Sequence, residues 1–164
     1  MAVMNRRFRT FAVLLCTLLT VAAAIPAASA AQPAPSIPEL TGIRVGRHAD
    51  FDRVVLDLRG GRPEFFVHQV PQLIADPSGM PVSVPGNYFL EVRLSPAAAH
   101  DLNGNSTYTG SRNFPTPSLT NVRGVAITGD FEAQLTVGLG STNDRWHRVS
   151  LLDAPTRVVI DIGH

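Results

Sequence analysis

The sequence predicts an all-β domain of antiparallel strands, closing as a sandwich or a barrel, behind an export signal. Three observations predict it. A two-residue polarity rhythm recurs from Ile43 to the last residues. Gly, Pro, Asn and Asp clusters punctuate that rhythm at short intervals. No segment past Ala31 sustains a helical period, so nothing supplies the crossovers that parallel strands need.

The start of the chain is read first, because it has to be subtracted. Arg6, Arg7 and Arg9 form a positive n-region, and Phe11 to Ile25 is almost wholly apolar. Pro26 breaks that run, and Ala28-Ser29-Ala30 offers small residues to a signal peptidase. Residues 1–30 are therefore expected to be a signal peptide cleaved before Ala31. The apolar run is shorter than the roughly 20 residues of a membrane span. Cys16 lies early in it behind Leu15, without the small residue a lipid-anchored cysteine requires, and reads as an apolar member of the signal.

The expected mature chain, Ala31 to His164, holds no cysteine, so neither disulfides nor thiol chemistry are available to it. Taking the three signal arginines from the 14 basic residues leaves 11 against 13 acids, a net charge of −2. That balance gives no support to nucleic-acid or anionic-membrane binding. Lysine is absent throughout, and the Ala/Pro/Arg-rich usage points to a high-GC bacterium. Residues 31–39 begin AQPAPSIP, an extended Pro-rich linker. One domain, residues 40–164, remains, large enough for a single core.

Within it the expected strands are Ile43–Val45, Arg53–Leu58, Glu64–Val70, the short Val82–Val84, and Tyr88–Leu94. Val122–Thr128, Phe131–Leu139, Trp146–Leu151 and Arg157–Ile162 complete the set. In Arg53–Leu58, residues Val54, Leu56 and Leu58 share one face and Arg53, Val55 and Asp57 the other. Gly129-Asp130 reads as a turn between the sixth and seventh strands. Ser95-Pro96 resembles a helix N-cap followed by proline, so one helical turn is expected over Ser95 to Asp101. Asn103 to Leu119 reads as one long loop.

The chain also echoes itself. IRVGRHADFDRVVLDL (43–58) and HRVSLLDAPTRVVIDI (147–162) align at an offset of 104 and share Arg44/Arg148, Arg53/Arg157, Val55/Val159 and Asp57/Asp161 among others. Two hairpins in equivalent places of two facing sheets are the expected cause.

Those residues carry a family resemblance. The early Asp52-Arg53-Val54-Val55-Leu56-Asp57-Leu58 strand, the Gly129-Asp130-Phe131-Glu132 element, Val137-Gly138-Leu139 and the closing Pro155-Thr156-Arg157-Val158-Val159-Ile160-Asp161-Ile162 occur in an order similar to the AMIN-like domain of exported actinobacterial proteins. That domain is related to the AMIN domain found beside cell-wall amidases. The resemblance covers roughly Leu40 to Gly163. It implies a β-sandwich of two similar sheets. It also implies a non-catalytic role in the cell envelope, secreted or wall-associated, with peptidoglycan or another envelope component as partner.

The residues themselves supply few chemical candidates. His48, Asp50 and Asp52 could approach a metal, but a polar turn explains them more simply. Asp101-Leu102-Asn103-Gly104-Asn105 begins like a calcium loop and then lacks its glycine and its last carboxylate. No nucleophile elbow, zinc-binding helix or triad can be named, and Glu91 with Glu132 would make a glycosidase pair only if the fold joined them. The expectation is a protein that is not an enzyme and takes no cofactor or metal. The ligand-binding candidates are Arg53, Asp57, Arg157 and Asp161, which could offer guanidinium forks and carboxylates or simply pair across strands. Tyr108 and Phe114, in the long loop, are the aromatic contact candidates. Phe65, Phe66, Tyr88, Phe89, Phe131 and Trp146 read first as core and cross-strand filler.

Overall fold

The computed structural model describes residues 36–164; the expected signal peptide and most of the expected linker lie outside them. Nine strands form two antiparallel sheets packed as a β-sandwich. The four-stranded sheet has the order β1-β2-β9-β8, built from β1 (Glu39–Arg47), β2 (Phe51–Arg59), β9 (Arg157–Gly163) and β8 (His147–Leu152). The five-stranded sheet has the order β3-β4-β7-β6-β5, built from β3 (Glu64–Val70), β4 (Tyr88–Ser95), β7 (Gln134–Ser141), β6 (Val122–Phe131) and β5 (Asn113–Pro115). Glu39 is already part of β1, paired with Arg59 across the ladder and through its carboxylate, so the domain begins one residue earlier than its apolar pattern suggests.

Alternation explains the core. Val54, Leu56 and Leu58 of β2 and Val158, Ile160 and Ile162 of β9 point inward. Leu90, Val92 and Leu94 of β4 and Leu135, Val137 and Leu139 of β7 meet them from the other sheet. Each such side chain contributes about 1.5–3 kcal/mol on leaving water, which a domain without disulfides needs.

A buried acid ties the two sheets at one end. Asp52 is on the inward phase of β2 and fully buried. It accepts backbone N–H bonds from Thr120 (3.1 Å), Asn121 (2.6 Å) and Val122 (2.9 Å), where the chain enters β6. Asn121 extends the joint by donating to the carbonyls of Gly163 (2.8 Å) and Asn143 (3.1 Å).

The outer face of the five-stranded sheet is covered by the β3–β4 connector, residues 71–87. Leu73 and Val84 form a second small core with Ala126, and Val70, Val82 and Phe89 pack around it. The sheet accommodates them because the strip of β6 and β7 beneath them carries only Gly124, Ala126, Gly138 and Gly140 outward. A Cβ on Gly138 would lie 2.7 Å from both methyls of Leu73, and one on Gly140 would enter the Pro85 carbonyl. Asp76 N–H donates to the Thr128 carbonyl (2.8 Å) and pins the connector at its far end.

Several expectations are corrected. Val82–Val84 is not a strand but part of this connector, bounded by Pro81 and Pro85, which have no N–H to extend a ladder. No helical turn forms after Ser95. Ala97 and Ala98 instead donate to the carbonyls of Ala133 (2.8 Å) and Pro38 (2.9 Å), which draws the chain out straight. The Asn103–Leu119 loop contains β5, too short to show a rhythm of its own. The β6–β7 turn falls at Glu132-Ala133 rather than Gly129-Asp130. Both turn residues have positive φ (49° and 55°), the primed geometry that suits a two-residue hairpin, here without the usual glycine.

The echo is also corrected. The two hairpins lie side by side in one sheet, not in facing sheets. Val55 pairs with Val159, Arg53 with Asp161 and Asp57 with Arg157, so a pseudo-twofold axis passes through the valine pair. Both copies bury the same face because one sheet has only one inner side.

Candidate functional site

The repeated motif places its polar residues together on the outer face of the four-stranded sheet. Reading across β1-β2-β9-β8, one row holds Gly46, Arg53, Asp161 and Arg148. The next holds Arg44, Val55, Val159 and Ser150, and a third Gly42, Asp57, Arg157 and Leu152. The four arginines and two aspartates give this face a net charge of +2, more than the +1 of the whole chain.

The ion pairs follow the twofold only in part. Arg44 donates to Asp57 through Nε (2.6 Å) and Nη2 (2.7 Å), and Arg148 donates to Asp161 at the equivalent place through Nη2 (2.9 Å). Arg53 adds a second fork to Asp161, with Nε and Nη2 at 2.7 and 3.0 Å. The equivalent Arg157–Asp57 pair is missing. Arg157 Nε donates to the Pro155 carbonyl (3.1 Å), and among the described residues Arg157 has no ion-pair partner.

Electrostatics match the geometry. The Asp161 side chain is only 1% exposed. Burial pushes its pKa up, but the hydrogen bonds and charges of Arg53 and Arg148 outweigh that and hold it below the ordinary carboxylate value. The bond to Asp161 raises Arg53, and the bond to Asp57 raises Arg44. Val55 and Val159 are buried although they face outward, in the middle of the four arginines. Stems of long basic side chains cover apolar surface in this way.

Aromatic groups close one end of the face. Phe51 stacks on His48 with ring centroids 4.4 Å apart and lies 6.1 Å from the ring of Trp146. The Arg53 guanidinium stands 5.1 Å from the Phe51 centroid. Trp146 is 52% exposed, and its indole rests on Gly163, where a Cβ would come within 2.8 Å of Cε2 and Cδ1.

The loop aromatics proposed from sequence are placed otherwise. Tyr108 is buried in the main core, its hydroxyl donating to the Ser111 carbonyl (3.1 Å) and its pKa raised by burial, against the opposing charge of Arg112. Phe114 packs against the same core from β5. Glu91 lies on β4 opposite Gly138 and Glu132 at the β6–β7 tip, so the fold does not join them as neighbours. Asp101 accepts from the Asn105 side-chain amide (3.0 Å), the Asn105 N–H (2.8 Å) and the Asn103 N–H (2.9 Å), which lowers its pKa and closes the loop.

A cleft of about 490 Å³ lies away from this face, beside Ser36, Glu39, His100 and Asp101. Its acids are committed to Arg59 and to the Asn103–Asn105 turn, and His100 Nδ1 is 3.1 Å from Asp130 Oδ1. Among the described residues no group of three or more His, Cys, Asp or Glu is gathered as metal ligands. Also among them, no helix is long and apolar enough to cross a membrane.

The family model for the AMIN-like domain matches residues 38–164, essentially the whole sandwich. The chain belongs to the AMIN-like domain family. No curated protein and no solved structure matches it.

Sequence reasoning found four of the face residues and missed others. Arg44 and Arg148 were visible in the echo, at the same offset as Arg53 and Arg157. Asp52 stood in phase with Val54, Leu56 and Leu58, the mark of an inward acid with a structural task. The association of His48, Phe51 and Trp146 had no local signal, because it joins a turn, a strand start and a residue about a hundred positions away.

Proposed function

We propose that this AMIN-like domain is an exported, non-catalytic module that holds a bacterial envelope polymer, peptidoglycan first among them, on the outer face of its four-stranded sheet. The observation that carries this reading is the unpaired Arg157 on a net-cationic Arg/Asp face. An arginine fork left open beside paired ones is suited to carboxylates, which peptidoglycan stems provide. Membership of the AMIN-like family supports the envelope setting, and the export signal read from sequence agrees with it.

Co-sedimentation of residues 31–164 with isolated cell wall tests the proposal. Retention at low salt, weakened as salt rises and reduced severalfold in Arg157→Ala, is the expected result. Full recovery in the supernatant beside a working binding control would sink it.

A second reading rests on β3. This edge strand pairs only with β4 and carries Phe66, nearly half exposed. Such an edge can accept a partner strand, which would make the domain a protein-interaction accessory. Cross-linking in intact cells followed by mass spectrometry separates the two, through the identity of what is captured at β3.

A further inference from the structure

We infer that the aromatic end of the four-stranded sheet is a sugar-stacking subsite, with Trp146 as the platform and Arg148 as the group that selects a ring bearing a carboxylate. The inference rests on the polymer-binding reading and names the part of the polymer that this end takes.

Trp146, not Phe51, is the available ring. Phe51 is engaged by His48 at 4.4 Å and by the Arg53 guanidinium at 5.1 Å. Trp146 lies 6.1 Å from Phe51 in a tilted arrangement and keeps half its surface in water. An exposed tryptophan costs solvation unless something covers it, and this one is held in place. Its carbonyl accepts the Gly163 N–H (3.0 Å), which continues the β8–β9 ladder past the end of β8. The side-chain-free backbone of Gly163 lets the indole come down onto the sheet. Phe51, paired with Gly163 on the far side, limits the indole's swing. The result is a ring fixed by its neighbours, with a surface fit for the apolar face of a pyranose.

The polar half of the subsite is two residues further along the chain, inside β8. Arg148 shares the outer phase with Trp146, about 7 Å away along the chain. Its Nη2 is bound to Asp161, but Nε and Nη1 make no bond to the described residues, and the side chain is 65% exposed. Arg53 differs, since it spends Nε and Nη2 on the same carboxylate. Asp161 is thus neutralised by two arginines, and the row beside the indole carries a net positive charge with spare donors on one member. A neutral sugar would use only the indole. A sugar with a carboxylate substituent would use both groups, which charge complementarity favours.

Trp146 is the single tryptophan of the whole chain, so its emission reports on this subsite directly. The probes are N-acetylmuramic acid and N-acetylglucosamine, which differ by the lactyl carboxylate. A saturable change in emission is expected with both, with about tenfold tighter binding of the acid, the size of one charge-assisted contact. Arg148→Ala, which keeps the indole, should remove that preference and leave the weaker neutral binding.

The outcomes separate the two readings. Silent emission while the same protein sediments with cell wall overturns the subsite and leaves the envelope role standing. Silence together with no sedimentation overturns both. A response to the sugars without wall binding keeps the subsite and overturns the envelope role. Equal affinity for both sugars keeps the platform and overturns the assignment of Arg148.

Discussion

On the five-stranded sheet the outward positions of β6 and β7 include Gly124, Ala126, Gly138 and Gly140, and the β3–β4 connector lies across them. On the four-stranded sheet the corresponding layer holds Arg44, Phe51, Arg53, Asp57, Arg148, Arg157 and Asp161, with Arg44 and Arg148 more than half exposed. The same alternation generated both faces. The difference lies in what the outward phase was given: bare backbone invites apolar packing against it, whereas guanidinium and carboxylate groups keep a surface wet. One sheet carries a layer of its own chain, and the other keeps its charged face toward water.

Substitutions can break this contrast, and the largest effect is expected where the sheets are joined. Asp52→Ala leaves three N–H groups, two of them buried, without an acceptor and should cost about 3 kcal/mol. A fall in the urea midpoint at unchanged m-value checks it. On the covered face, Gly140→Ala pushes a methyl into the Pro85 carbonyl and should cost about 2 kcal/mol. Its signature is specific: protease cleavage within residues 71–87 should appear before global unfolding.

On the open face the effects on stability shrink. Asp161→Asn should cost about 1 kcal/mol, because Arg53 and Arg148 keep contact with water when their partner is lost. Here pH adds a test. The folded pKa of Asp161 is lowered, so its contribution is complete above the ordinary carboxylate pKa of about 3.9. It is lost as pH falls below that value toward the lowered one. The gap in melting temperature between wild type and Asp161→Asn should therefore be constant near neutrality and narrow below about pH 4. Arg157→Ala should shift stability by less than about 0.5 kcal/mol while weakening retention on cell wall. A large stability loss there would mean that Arg157 belongs to the fold rather than to a ligand.

Legibility in the sequence follows the range of the interactions involved. Strand positions were readable because the inward phase of β2, β4, β7 and β9 is almost uninterrupted aliphatic. The Arg/Asp residues were readable because they occupy the opposite phase of the same strands. The pairing of Arg53 with Asp161 was not, since it depends on β2 and β9 being neighbours, and the echo alone fits one sheet or two equally well. Tyr108 was misplaced for a related reason. A polar, Ser/Thr-rich surrounding gives no sign that the ring turns inward onto the core. The Glu132-Ala133 turn escaped because it adopts positive φ without glycine, the only residue that would have announced it. Trp146 was read as filler because nothing nearby in the chain predicts that Gly163 would lie beneath it.

β1 begins with Glu39 beside Arg59, whereas Gly163, Phe51 and Trp146 stand at the opposite end of the same sheet. The nine residues of β1 span about 25 Å between those ends. The entry of the chain into β1 and the aromatic cluster thus occupy opposite ends of the sheet. A molecule that reaches the indole therefore meets the sheet at the end farthest from where the chain enters β1.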